Sequence, residues 1–532
     1  MFAVTTPRKP IKLALLMQEA SGIHLASWMH PGAVRGAANS IEYYAKVART
    51  AERALFDLFF VADTPAARTR NLEAWSRYPL FMNTLEPLTL LSCLAASTSR
   101  IGLGGTASTS TSEPYNIARQ FGTLDHISAG RAAWNVVTSA NAYVAPNFGQ
   151  DTLPPHAERY ERAGEFVEIV QALWDTYEDD ALLEDRASGL YFDPARFHPL
   201  DHRGKHFSVR GALNLARSPQ GQPVIIQAGA SDIGRDFAAR VAEVVFGTAS
   251  DLNEAKAFYD DLKGRMAKYG RHPDEMKILC GRGVMLGATG AEAAAKFEAL
   301  QALVHPTVGK FFLGNDLEVD LSDLPLDEPI PPERIPASAQ FHAAYFAQIV
   351  DLIRKENPTL RQLYQRYERG RATFEGTAQE MVDDMEAWMD AGAADGFMMT
   401  FNQLPGDLDD FVDQVIPEMQ RRGRYRTEYE GTTLREHLGL ARPANRYAAG
   451  ESAHERSATN NRIDAARHCE AAWPKQSRGT APAPARNTWI ASPQGRLAMT
   501  SLPRLFPSAP YPARIRRSSH AAKRVSGKHS RK

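Results

Sequence analysis

Residues 86–139, EPLTLLSCLAASTSRIGLGGTASTSTSEPYNIARQFGTLDHISAGRAAWNVVTS, pass through helix, strand, helix and strand in turn, and this order decides the fold of the 532-residue chain. Pro87 opens a helix that the spacing predicts to run to Ala96, since a proline in the first turn lacks only an N–H that would have no intrahelical partner. Leu88, Leu91, Cys93 and Leu94 are its expected inward positions. A short apolar strand follows over 101–107. Small residues then form a loop, and Glu113-Pro114 starts a second helix with Ile117, Phe121 and Leu124 at helical spacing. Ser128-Ala129-Gly130 ends it, and a strand over 131–138 begins at once. Each strand is followed by a helix that returns the chain to the same edge, the repeat of a parallel sheet.

Outward from this stretch the same unit recurs. Strands are expected near 11–17, 58–62, 224–228, 244–248, 277–286 and 397–401, which with the two above makes eight. Helices are expected near 40–54, 156–177, 232–241, 253–269, 291–303, 337–355, 378–391 and 407–422. Two segments interrupt the alternation. Residues 178–222 are polar, with short strand patterns around Tyr191-Phe192 and Phe207, and residues 304–336 are rich in Pro, Asp and Gly with no regular pattern. Eight strand–helix units predict a (β/α)8 TIM barrel with large insertions. A doubly wound open sheet is the competing architecture, and it would place a phosphate-binding glycine fingerprint after its first strand. Gly102-Leu103-Gly104-Gly105 and Gly281-Arg282-Gly283 both lie inside strands, so a nicotinamide dinucleotide fold is not expected.

Composition is that of an ordinary globular chain, 43% hydrophobic and 23% charged, with zero formal net charge. The zero conceals an asymmetry. Residues 451–532 carry 16 Lys and Arg against 4 Asp and Glu, while the preceding 450 residues are mildly acidic. The reading is one domain over 1–450 and a basic extension over 451–532, whose Pro, Ala, Ser and Arg bias predicts disorder. Its charge could hold nucleic acid nonspecifically, but an extension without function is the plainer reading, and no specific nucleic-acid partner is expected. Cys93, Cys280 and Cys469 are far apart and read as buried thiols, not a disulfide frame. The apolar run from Leu13 to Met17 is too short for a leader and reads as the first strand. No run of 18 apolar residues occurs, so no membrane span is expected and the cytoplasm is the default location. With no CxxC and no close His/Asp/Glu set, no metal centre is expected.

Barrel chemistry sits at the carboxyl ends of strands. There the chain is polar: Asp63 after the second strand, Thr106 to Ser110 at the third, Asn135 to Ser139 at the fourth, and Gly229-Ala230-Ser231-Asp232 where the fifth opens a helix. Free N–H groups at that helix start suit an anion such as phosphate, although Ser231 also reads as an ordinary cap. His156 and Tyr160, four apart at the start of the helix after the fourth strand, face the same way, toward the mouth, with a capping or packing role as the plain alternative.

These residues also carry a resemblance. Glu113-Pro114-Tyr115, Ala118-Arg119, Leu124-Asp125-His126-Ile127-Ser128 and Gly130-Arg131-Ala132-Ala133-Trp134-Asn135-Val136-Val137-Thr138-Ser139 resemble the flavin-dependent monooxygenases of the nitrilotriacetate and dibenzothiophene sulfone monooxygenase type, within the bacterial luciferase-like superfamily. The likeness continues through His156 to Tyr160, Gln227 to Ser231, Arg421-Arg422-Gly423 and Thr433 to Leu440, and spans about residues 10–447. It implies a (β/α)8 barrel that binds reduced FMN (FMNH2) delivered by a separate NAD(P)H:flavin reductase. The flavin contacts it implies are Asp63, Thr106, His156, Tyr160 and Ser231, with Asn135 as an addition. It also implies oxygen activation as a flavin hydroperoxide, oxygenation of a small nitrogen- or sulfur-containing substrate with C–N or C–S cleavage, and a homo-oligomer. Phe246, His305 and His30 are the substrate-side candidates; for Phe246 the alternative is a packed barrel residue, and for the histidines a surface loop position. The segment headed by His305 has the character of a lid. Two other functions remain open on sequence alone: a deazaflavin-dependent oxidoreductase of the same superfamily, and a flavin-binding protein without turnover.

Overall fold

Main-chain pairing closes the sheet on itself. The computed structural model describes residues 9–247, 249, 251–338, 343–366 and 373–448; the basic extension lies outside the described residues. Eight strands form the barrel: β1 (Lys12–Met17), β2 (Leu58–Val61), β3 (Gly102–Ser108), β4 (Ala132–Val137), β5 (Val224–Gln227), β6 (Val244–Gly247), β7 (Lys277–Leu286) and β8 (Gly396–Phe401). Each pairs in parallel with its neighbours in chain order, and β8 returns to β1 with Lys12 opposite Gly396. All eight expected strands are present, and closure removes the open edges that a doubly wound sheet would have kept.

Alternation along the strands sorts side chains into two cores. Ala14, Leu16, Leu58, Phe60, Ala133, Val224, Ile226, Val244, Leu279 and Met398 pack inside the barrel, joined by Leu434 and Leu438 from the helix Leu434–Leu438, which plugs the amino end. The glycines of β3 make this possible. A Cβ on Gly102 would lie 2.5 Å from Leu434 Cδ1, and one on Gly104 would lie 3.1 Å from Leu58 and 3.2 Å from Ile226. They give room to neighbours inside a strand, which is why they lead into no nucleotide-binding turn. Residues of opposite parity, such as Leu13, Leu15, Phe59, Leu103 and Phe397, face the surrounding helices.

The helix Pro87–Ala95 buries Leu90, Leu91 and Leu94 and leaves Cys93 exposed, contrary to the expected buried thiol. Two positions along a helix turn the side chain by about 200°, so Cys93 points away from the face that holds Leu91. Cys280 is buried as expected, and Cys469 lies outside the described residues.

Residues 178–222 form two antiparallel pairs, Leu182–Asp185 with Leu190–Phe192 and Leu200–Arg203 with Ser208–Gly211. The second insertion departs from expectation. It opens with a helix, Pro306–Leu317, that buries Val308, Gly309, Phe312, Leu313, Gly314, Asp316 and Leu317. A helix buried on most of its circumference shows no one-sided apolar stripe, and its two glycines mask it further. The excursion continues through Ala343–Glu356 and Leu360–Arg366 to a short strand, Thr373–Gly376, which pairs with the far end of β7. Its core, with Phe297, Leu300, Val308, Phe312, Ile349 and Leu363, also takes in Ala26, Trp75 and Tyr78 from the loops after β1 and β2. The insertion is thereby anchored to the loops at the carboxyl end of the barrel.

Candidate active site

A cavity of ≈ 540 Å³ opens at the carboxyl ends of β2, β3, β4 and β5. Asp63, Thr106, Ser108, Ser139, Tyr160 and Gly229 all line it. Each stands in the last residues of a strand, just past its end or in the opening turns of a following helix, so the barrel's parallel register sets their spacing.

Thr106 and Asn135 face each other across the β3–β4 pair, in register and both buried. Asn135 Nδ2 donates to Thr106 Oγ1 at 2.9 Å, and Thr106 Oγ1 donates to the Val61 carbonyl at 3.1 Å. This chain of donors leaves Asn135 Oδ1 buried without a partner. A buried amide oxygen in that condition costs about 1–3 kcal/mol, a cost that a ligand donor would remove. Above it Ser108 Oγ and Ser139 Oγ are 2.7 Å apart, and Ser139 holds φ at +48°, a conformation uncommon for residues other than glycine.

Tyr160 rises from the helix His156–Trp174 and packs its ring 5.6 Å from Phe237. Its hydroxyl lies 2.9 Å from where a Cβ would sit on Gly229 and equally on Gly234, and Ser231 Oγ is 3.1 Å from the same point on Gly234. The two glycines therefore let a phenol and a serine hydroxyl approach one patch of backbone at the start of the helix Asp232–Val241. Ser231 accepts from Gly234 N at 3.1 Å and so caps that helix; its side chain is otherwise exposed. His156 is exposed, and its ring packs tilted against that of Tyr160, 4.9 Å between centres.

Asp63 is half-buried, and burial pushes its carboxyl up to about 6, helped by the Glu86 charge and opposed by the Thr64 N–H. Glu86, also in the cavity wall, is engaged with Leu88 N at 3.0 Å and Thr89 N at 2.7 Å as the cap of its helix.

The structure thus brings Asp63, Thr106 and Tyr160 to one cavity, with Asn135, His156 and Ser231 attached through their contacts. It places the substrate-side candidates elsewhere. Phe246 packs over Gly281 inside the barrel, His305 caps the helix Pro306–Leu317 by accepting from Thr307 N at 3.2 Å, and His30 accepts from Gly32 N at 3.1 Å. Glu86, Gln120, Val144 and Phe148 also line the cavity without having been singled out, because a helix cap, a mid-helix residue and loop residues reach it only through the tertiary fold. Among the described residues no group of three or more His, Cys, Asp or Glu could hold a metal ion, and no helix is long and apolar enough to cross a membrane.

The family model described as luciferase-like monooxygenase matches residues 21–397. The chain belongs to the luciferase-like monooxygenase family. Nitrilotriacetate monooxygenase component A of Aminobacter aminovorans is 47% identical, over 83% of this chain and 98% of its own. N-acetyl-S-(2-succino)cysteine monooxygenase of Bacillus subtilis is 44% identical, over 84% of this chain and 100% of its own. Among solved structures, a riboflavin lyase holding modified FMN and riboflavin superposes with a TM-score of 0.70 at 29% identity, covering 83% of this chain and 99% of that one. The expected resemblance and the expectation of an enzyme, a flavin-dependent monooxygenase on a TIM barrel, are met. The cavity of this luciferase-like monooxygenase suits a flavin. It offers a hydroxyl-lined wall, with the unpaired Asn135 amide oxygen next to its Thr106, and a glycine-cleared helix start beside Tyr160 for a phosphate.

Proposed function

We propose that this chain is the FMNH2-dependent oxygenase component of a two-component system, supplied by a separate NAD(P)H:flavin reductase, and that it oxygenates a small organic nitrogen- or sulfur-containing substrate with C–N or C–S cleavage. The observation that carries the reading is a cavity bounded by Asp63, Thr106 and Tyr160, with the unpaired Asn135 Oδ1 next to its Thr106. The two relatives support the substrate range, since one is named for an amine and the other for a thioether, and the words "component A" support a partner. When bound, reduced flavin supplies two electrons and the centre at which O₂ is split between substrate and water. Thr106 and Asn135 orient the ring edge, while Tyr160, Ser231 and His156 hold the phosphate end. Asp63 sits at the rim as a carboxyl that keeps its proton up to about pH 6. The oxygenase works as a homo-oligomer in the cytoplasm, with residues 1–450 as its domain and 451–532 as a basic extension to it.

The test is an anaerobic titration of photoreduced FMN into the protein, followed by rapid mixing with oxygenated buffer while the flavin hydroperoxide absorbance is recorded. Binding followed by a long-lived intermediate, whose decay quickens with an amine or thioether substrate, is the expected result. Asn135→Ala is expected to weaken FMN binding about 10-fold while changing folding stability by less than about 1 kcal/mol, because the lost bond to Thr106 is offset by removal of the unpaired oxygen. Tight flavin binding without substrate-dependent oxygen uptake would defeat the oxygenase assignment.

A further inference from the structure

Arg68 stands in the loop after β2 whose first residues, Asp63, Thr64 and Pro65, line the cavity. It is half-buried, and burial draws its guanidinium below the ordinary arginine range. Two aromatic rings hold it, with Cζ 5.1 Å from the centre of Trp75 and 5.3 Å from that of Phe81. Of its five side-chain donors, one is used, from Nη1 to the Ala66 carbonyl at 3.3 Å. No carboxylate lies within ion-pair distance of it among the described residues. The titratable groups that act on it are the phenols of Tyr143 and Tyr78.

Three other deeply set guanidinia show what such a group ordinarily engages. Arg217 pairs with Asp175 at 3.0 Å and Arg426 with Asp57 at 2.7 Å. Arg131, which has no carboxylate, spends its donors on Ser128 O, Ile101 O, Ala95 O and Thr98. Arg68 alone of these is caged with its face against rings and its edge unspent.

Its position gives that edge a use. Tyr143 belongs to the loop after β4, and its neighbours Asn141 and Val144 line the same cavity. Arg68 therefore belongs to one and interacts with the other of two loops that both border the place where substrate must meet the flavin. A cation taken partly out of water, with no counter-charge of its own, is stabilised by an anion that arrives with the ligand, and a guanidinium offers a carboxylate two parallel N–H donors.

We propose that Arg68 is the residue that selects the substrate, and that the molecule oxygenated by this enzyme carries a carboxylate beyond its reacting nitrogen or sulfur. The inference rests on the oxygenase reading of the cavity and adds to it the class of substrate. The apolar cluster with Trp75 and Tyr78 fixes the cage to the insertion after β7, so substrate charge would be read where loop and insertion meet.

Equilibrium binding tests the proposal without turnover. Protein holding oxidised FMN is titrated calorimetrically with nitrilotriacetate and with N-acetyl-S-(2-succino)cysteine as carboxylate probes, and with dibenzothiophene sulfone as a neutral one. Wild type is expected to bind at least one carboxylate probe, with affinity reduced about 10- to 100-fold in Arg68→Met and in between in Arg68→Lys, and with no effect of either change on the neutral probe. FMN affinity, measured on the same samples, is expected to stay within about 2-fold of wild type, which shows that the cavity is intact. Equal carboxylate affinity in wild type and Arg68→Met, or no carboxylate binding by wild type, overturns the proposal. Failure of the oxygenase reading would show separately, as absence of the oxygenated flavin intermediate in wild type.

Discussion

At the residue scale, Asp63 shows how a strand end becomes a site. Closing the barrel carries its carboxyl into a half-buried wall opposite Glu86, and burial raises it from an ordinary 3.8 to about 6. A carboxyl raised in the folded state stabilises the fold only while it keeps its proton. The unfolded chain releases that proton near pH 4 and the folded chain near pH 6, so stability is lost as pH rises through this window. Asp63→Asn removes the charge without changing the shape. The variant is expected to match wild type in thermal midpoint near pH 4 and to exceed it by on the order of 1 kcal/mol above pH 6, a figure lowered for the part of the carboxyl that remains in water. A constant difference across pH 4 to 8 would show that Asp63 ionises normally. Asp63, Thr106 and Tyr160 were legible in the sequence because they fall after, at the end of, or on the helix beyond a strand, at its carboxyl side. Arg68 was not, since its cage of Trp75 and Phe81 exists only once the loop has folded on the insertion.

At the scale of the element, β3 is the sharpest case. Its run of glycines looked like a possible phosphate loop, and its place inside a strand argued against one. The structure supplies the reason, because Gly102 faces the plug helix and Gly104 the interior layer. Gly102→Val would set a side chain 2.5 Å from Leu434 Cδ1 and 2.8 Å from the Asp57 carbonyl. The leucine can shift a little and the backbone oxygen cannot, so the variant is expected to lose about 3 kcal/mol in urea unfolding. Gly264→Ala is the control, since nothing lies within 4 Å of its added carbon, and it should gain about 0.5 kcal/mol in the last turn of the helix Leu252–Met266. Equal effects of the two changes would mean that the plug does not depend on Gly102. Elements with one buried face were legible throughout, whereas Pro306–Leu317, buried nearly all round, was read as irregular.

At the scale of the whole molecule, eight strands could be counted in sequence because each is followed by a periodic helix, while the long excursion after β7 could not be drawn, since its core forms against the distant loops of β1 and β2. Charge buried at the two ends of the closed barrel makes the fold respond to pH in opposite senses. At the amino end the floor already holds the cations Arg426 and Lys12 around the single carboxylate of Asp57, at 2.7 and 3.8 Å. His437 sits beside them against Tyr429, and burial, with the Arg426 charge, pushes it down to about 4. Its unfolded counterpart takes up a proton near 6.5, so between pH 6.5 and 4 the unfolded chain binds more protons and the fold is weakened as pH falls. At the carboxyl end Glu19 is buried, with Oε2 unpartnered, and burial raises it to about 7. Its unfolded counterpart ionises near 4.5, so the fold is weakened as pH rises from 4.5 to 7. The two slopes oppose each other over nearly the same window. Single variants should separate them when urea midpoints are measured from pH 4 to 8. Relative to wild type, Glu19→Gln is expected to gain stability progressively as pH rises through 4.5 to 7, and His437→Gln to gain as pH falls through 6.5 to 4, whatever constant packing loss each carries. A difference that does not vary with pH in either variant would remove that group from the acid–base balance of the fold.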